Sequence, residues 1–298
     1  MSEPAHRSYY GRPIIKEPVW SPEVAWYFFT GGLGGASSTL ALGARLVGNE
    51  RLARNAELVA LGAMAVCPVL LVKDLGRPER LYNMLRVFKV TSPMSVGSWV
   101  LAVEGTTIGI VGASRLFGFL RPLRRAAGAV AGVSGLGLSS YTGALVADTA
   151  IPIWHEARRE LPFVFVGSAA ATAGGAAAIL TPADDSGPAR RLALIGAAVE
   201  VAARKVMERR LGPFLGEPYF EGESGRYATL AKRLTTAGAL VLAFGGRRRT
   251  GAVAGGALLL AGGAFERWAV FRAGFASARD PKYTVVPQRA RLEDAGRR

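Results

Sequence analysis

The chain has 298 residues, half of them hydrophobic, and a formal net charge of +15. A positive mean hydropathy over this length excludes an ordinary soluble domain and indicates a membrane protein. Lys and Arg fall in short clusters between apolar runs rather than along one face, so the charge reads as membrane flanking and no nucleic-acid partner is expected.

Cysteine and histidine usage narrows the chemistry. The single cysteine, Cys67, lies in an apolar run beside Pro68 and has no second cysteine for a disulfide or an iron–sulfur cluster. The histidines are His6, in the polar N-terminal segment, and His155, just beyond an apolar run, so no facing pair is available to hold a haem. The chain is expected to carry no metal centre of its own.

Residues 1–22 form a polar N-terminal segment without a short apolar stretch and cleavage site, and the first span is expected to act as signal anchor. Apolar runs at 24–47, 98–116, 126–147, 161–180 and 251–269 approach the ~20 residues that cross ~30 Å of hydrocarbon. Shorter runs at 58–72, 189–203 and 228–244 bring the count to eight if flanking side chains snorkel. The predicted fold class is therefore all-α integral membrane with eight transmembrane helices. Gly is abundant, at 38 residues, as close helix packing in lipid requires.

Eight spans put both termini on one side, side A, with the loops 73–97, 148–160 and 204–227 and the tail after Arg272. Side B carries short connections at 48–55, 117–125, 184–191 and 247–250. Side A has more basic residues in total, together with most of the acids. The dense clusters of side B (Arg51 and Arg54, Arg121, Arg124 and Arg125, Arg190 and Arg191, and Arg247, Arg248 and Arg249) weigh more under the positive-inside rule. Side B is expected to be cytoplasmic and side A extracytoplasmic. Within 77–89, Leu81, Met84, Leu85 and Phe88 recur at i, i+3, i+4 and i+7, which predicts a short amphipathic helix in the interface.

Ionisable groups in spans cost ~2.5–3.5 kcal/mol on insertion scales and are functional candidates by default. Glu23, Glu104, Asp148 and Glu200 stand out. Glu104, a third of the way into the third span, suits a proton relay or a structural hydrogen bond to a neighbouring helix. Asp148 lies at the side-A end of span four, before Pro152, which ends the helix, and Trp154, which marks the interface; a hydrated helix-end carboxylate is the plainer alternative. Tyr141, two turns earlier, is a packing residue or a hydrogen-bond donor to a quinone carbonyl. Glu200 is spaced to pair with Arg204, near Lys205, as a structural ion pair, and His155 beside Glu156 is a proton shuttle or merely solvated. The GGLGGASS run of span one allows close approach of a helix backbone or a flat ring.

Three ordered segments, WSPEVAWYFFTGGLGGAS, KDLGRPERLYNMLRVFKVTSPMSVGSW and SSYTGALVADTAIPIW, together resemble the NrfD/polysulfide reductase membrane-subunit family, from Trp20 to Trp154. DPKYTVVPQR near the C-terminus adds to the likeness. The resemblance implies two four-helix bundles, at 23–160 and 161–272, with a polar C-terminal tail at 273–298. It implies an exchangeable menaquinone or ubiquinone in the first bundle, where the start of span one, the loop before span three and the end of span four converge on side A. It further implies a four-cluster ferredoxin-like iron–sulfur partner, a molybdopterin catalytic subunit, formate dehydrogenase-like or sulfur-compound reductase-like, and a prokaryotic inner membrane. Tyr141 matches the family's quinone-binding tyrosine, and Glu23 and Trp26 occupy the positions at the start of span one. Some relatives carry an Asn and a His there. This chain has no such histidine, so Glu23, Asp74 or Asp148 stand as substitutes, with Arg77 or Arg80 as cationic support. Proton transfer is assigned to Asp148, Glu23, Asp74 and Glu104, because quinol oxidation needs a carboxylate near the ring.

Two other classes fit the residues. Glu104 and Glu200 suit a proton-coupled secondary transporter or proton channel. A structural anchor that binds no quinone is the third reading.

Overall fold

The computed structural model describes residues 13–118 and 121–296; His6 and most of the N-terminal segment lie outside the described residues. The described residues are helical throughout, joined by short turns: α1 (Glu23–Leu46), α2 (Glu50–Leu75), α3 (Arg80–Leu85), α4 (Pro93–Phe117), α5 (Arg121–Ala147), α6 (Pro152–Glu156), α7 (Leu161–Leu180), α8 (Gly187–Phe220), α9 (Gly222–Gly245), α10 (Arg249–Arg279) and α11 (Lys282–Gly296). Their ends follow local chemistry. Asn49 accepts the Leu52 N–H at 3.0 Å to start α2, and Ser92 precedes Pro93 at the start of α4. Gly76 and Gly118, both at positive φ, end α2 and α4.

Four helices, α2, α4, α5 and α7, are long and apolar enough to cross a membrane. The protein is a multi-pass membrane protein. The other four long helices, α1, α8, α9 and α10, cover the remaining expected spans, but Gly, Ser and ionisable residues dilute their apolar character. α1 packs along α2 and α5, and α4 packs along α5. α7 packs along α8 and α10, α9 along α10, and α1 and α5 both touch α7. Small residues set these approaches: a Cβ on Gly35 would lie 2.6 Å from the Gly135 carbonyl oxygen, and Thr39 donates to the Gly132 carbonyl at 2.8 Å.

Several expected boundaries move. The second run starts at Glu50, not 58: its first two turns bury Leu52, Ala53, Asn55, Ala56 and Glu57 while Glu50, Arg51 and Arg54 stay exposed, so no apolar run marks them in the sequence. The loop expected at 204–227 is helical up to Phe220, interrupted only at Gly212 (φ 67°), and α9 starts at Gly222. The expected polar tail is also helical: α10 runs to Arg279, with Ala273, Gly274, Ser277 and Ala278 buried, and α11 follows. The amphipathic helix is shorter than 77–89. Only Arg80–Leu85 is helical, and Phe88 lies beyond it, edge-on to Trp99 at 6.3 Å. Trp154 does not mark an interface. It is fully buried, donates its indole N–H to the Val270 carbonyl at 2.7 Å and stacks on Trp20 at 5.4 Å.

Candidate functional site

Helix phase builds one apolar chamber at the side-A end. On α1, Val24, Tyr27 and Phe28 recur at i, i+3 and i+4 and share a face. With Trp20 just before the helix, they wall a cavity of about 140 Å³ completed by Leu71, Asp74 and Leu75 of α2, Met84 of α3, Met94 and Ser98 of α4, and Tyr141 and Leu145 of α5. Tyr141 is held there by Gly97: any Cβ at that position would overlap the tyrosine ring. On its other side Tyr141 lines a wider recess of about 560 Å³, shared with Thr91, Val96, Asp148, His155 and Arg158. Asp148 and His155 also line a groove of about 480 Å³ against Tyr283, Thr284 and Gln288 of α11. Tyr141 thus stands between a small apolar chamber and a wider recess that is mostly apolar and carries Asp148, His155 and Arg158 on its wall.

The polar residues near the chamber are tied to the backbone or to each other. Asp74 accepts both the backbone N–H and the hydroxyl of Ser21 at 2.8 Å, which fixes the chain entering α1 to the end of α2. Beside it the Glu23 carboxylate meets the Lys73 ammonium at 2.7 Å. Asp148 is exposed, outside the chamber and in the recess. Aromatic and aliphatic side chains make most of the chamber wall, and Asp74, Ser98 and Tyr141 are its polar members, a lining that suits a flat, mostly apolar ligand.

Four further expected site residues lie elsewhere. Trp26, two positions from both Val24 and Phe28, points away from the chamber, is 43% exposed and meets Trp268 of α10 at 6.0 Å. Arg77 is exposed, and Arg80, also exposed, donates to the Leu75 carbonyl at 3.0 Å. Neither arginine lines the chamber. Glu104 is fully buried but deeper in the bundle; it accepts the Ser134 hydroxyl at 2.5 Å through Oε2, and its Oε1 has no hydrogen-bond partner.

The chamber's three segments are those that carry the family motifs. The sequence model described as "Polysulphide reductase, NrfD" matches residues 14–184. The chain belongs to the NrfD family. The matched stretch takes in α1 to α7 and every residue lining the chamber. No curated protein matches the chain.

Sequence reasoning missed the strongest buried charges. Glu57 of α2, 1% exposed, is clasped by Arg45 of α1 and Arg115 of α4, the latter through Nε at 2.7 Å. It escaped notice because the apolar run seemed to begin one residue later. The expected Glu200–Arg204 pair is replaced: Arg204 pairs with Glu266 of α10 and donates to the Ala228 carbonyl at 3.2 Å, whereas Glu200 accepts the Thr235 hydroxyl at 3.3 Å. Tertiary approach of α10 offers Arg204 a better partner than its own helix does. The adjacent Glu266 and Arg267 near the end of the apolar run 251–269 were the available signal for this node.

Proposed function

We propose that the chain is the quinone-reactive membrane anchor of a molybdopterin oxidoreductase complex, exchanging electrons between the quinone pool and an iron–sulfur subunit docked on side A. The observation that carries this reading is Tyr141, which lines both a small apolar chamber and a wider recess holding Asp148 and His155. In this reading α1, α2, α4, α5, α7, α8, α9 and α10 all cross the membrane, as two four-helix bundles, and side A faces outward from a prokaryotic inner membrane.

The residues divide the work. The bound menaquinone or ubiquinone supplies the two-electron, two-proton chemistry. The Tyr141 hydroxyl donates to a carbonyl oxygen of the ring, and the aromatic wall of Trp20, Tyr27 and Phe28 excludes water. Asp74 is the carboxylate that lines the chamber, and Asp148 with His155 offers protons a route through the recess to the surface. With one cysteine in the sequence, the electron partner is another polypeptide. Trp26, Arg77 and Arg80 take no part in ring contact, and Glu23 acts through its pair with Lys73 as a support for the chamber mouth.

Purification in mild detergent tests the assembly: an iron–sulfur protein with several four-cysteine sets is expected to copurify. In that complex Tyr141→Phe is expected to lower quinone-linked turnover about tenfold or more, the loss of one hydrogen bond in a dry site. Unchanged turnover in both Tyr141→Phe and Asp148→Asn would sink the assignment.

A further inference from the structure

Arg267 is 2% exposed in α10, and among the described residues no carboxylate oxygen lies within 4 Å of it. Its Nη2 donates to the Phe165 carbonyl at 2.9 Å, while Nε and Nη1 have no hydrogen-bond partner. Its guanidinium sits 3.8 Å from the centre of the Phe165 ring. It lies alongside Gly32 of α1, where a Cβ would be in ordinary contact with Nη2 at 3.4 Å. The neighbouring cation Arg204 pairs with Glu266, and Glu200 accepts the Thr235 hydroxyl at 3.3 Å.

A structural arginine this deep in a bundle is expected to satisfy its donors, since each orphan is costly there. Arg267 instead spends its face on Phe165. Phe165 in turn meets Phe28 edge-on, ring centres 5.9 Å apart, and Phe28 walls the Tyr141 chamber. Two rings therefore separate an incompletely paired cation from the chamber. Rings transmit the field without screening it as water would.

We infer that Arg267 is a positioning residue whose charge, acting through Phe165 and Phe28, favours an anionic ring over a neutral one in the Tyr141 chamber. The inference rests on the quinone reading of that chamber. At about 10–15 Å and an effective dielectric of about 20, one unit charge changes the affinity of a unit anion by roughly six- to fifteenfold.

The test is binding, measured by equilibrium dialysis on the purified complex, of two small naphthoquinones: lawsone, ionised at neutral pH, and menadione, neutral. Arg267→Met is expected to weaken lawsone about tenfold and leave menadione within about twofold, while Arg267→Lys stays near the wild type. Arg267→Gln, which removes the charge and keeps a hydrogen-bond donor, is expected to weaken lawsone alone in the same way, and it carries the test if Arg267→Met does not assemble. Equal weakening of both probes, or no change in lawsone with either variant, overturns the inference. Tyr141→Leu separates the two levels. If it leaves both probes bound as before, the quinone reading itself falls; if it releases both while Arg267→Met discriminates nothing, the role of Arg267 alone falls.

Discussion

Tyr141 of α5 lies against Gly97 of α4 so closely that no side chain fits at position 97. This contact aims the tyrosine at the chamber rather than into lipid. Gly97→Ala is therefore expected to displace the ring, at about 1–3 kcal/mol of overpacking. Quinone-linked turnover of the complex should fall nearly as far as in Tyr141→Phe. Normal turnover with an intact fold by circular dichroism would show that the tyrosine has room to move.

The Glu57 clamp ties three helices at the side-B end. Glu57→Ala removes the shared anion and leaves Arg45 and Arg115 partly buried without it. Breaking a buried pair of this kind costs about 3–5 kcal/mol. A lowered thermal midpoint in detergent is expected, with a smaller drop for Arg115→Lys. An unchanged midpoint for Glu57→Ala would mean that the arginines reach water or lipid phosphate instead.

Trp154 joins α6 to α10 through the Val270 carbonyl and supports Trp20 at the chamber mouth. Trp154→Phe keeps an aromatic ring but loses the indole donor, and about 1 kcal/mol of stability is expected to go with it. Trp154→Ala should cost about 3–5 kcal/mol. Chemical denaturation of the purified chain in mixed micelles measures both, and no loss of stability in Trp154→Phe would contradict the hydrogen-bond account.

On side A, Lys282 of α11 holds Glu217 at 2.9 Å. The hydrogen bond from Lys282 keeps the Glu217 carboxyl below its ordinary value of 4.5, and the same bond raises Lys282 above its ordinary 10.5. A depressed carboxylate stabilises above its unfolded value and loses that contribution as pH falls through the folded one. A raised lysine stabilises below its unfolded value and loses it as pH climbs through the folded one. Docking of α11 is thus expected to be flat between about 4.5 and 10.5 and to weaken outside that window. A spin label at Leu292→Cys, on an exposed position, should become mobile at the acid end in the wild type. In Glu217→Gln the acid transition should disappear; its persistence would assign the anchoring elsewhere.

The amino-acid sequence by itself determined the helical class, the apolar runs and the candidacy of Tyr141, because these depend on local hydropathy and on residue types that bury poorly alone. It also carried the family motifs in order. Only the tertiary structure decided which faces meet. Trp26 and Tyr27 are neighbours in the chain, yet one meets α10 and the other walls the chamber, a consequence of about 100° of turn per residue and of where α4, α5 and α10 happen to pack. Charge partners were equally hidden: Arg204 sits four residues from Glu200 but pairs with Glu266 across the bundle, and Arg267 of α10 lies over the ring of Phe165 of α7. In a low-dielectric interior such long-range pairings dominate the fate of each charge, and sequence spacing along one helix does not encode them.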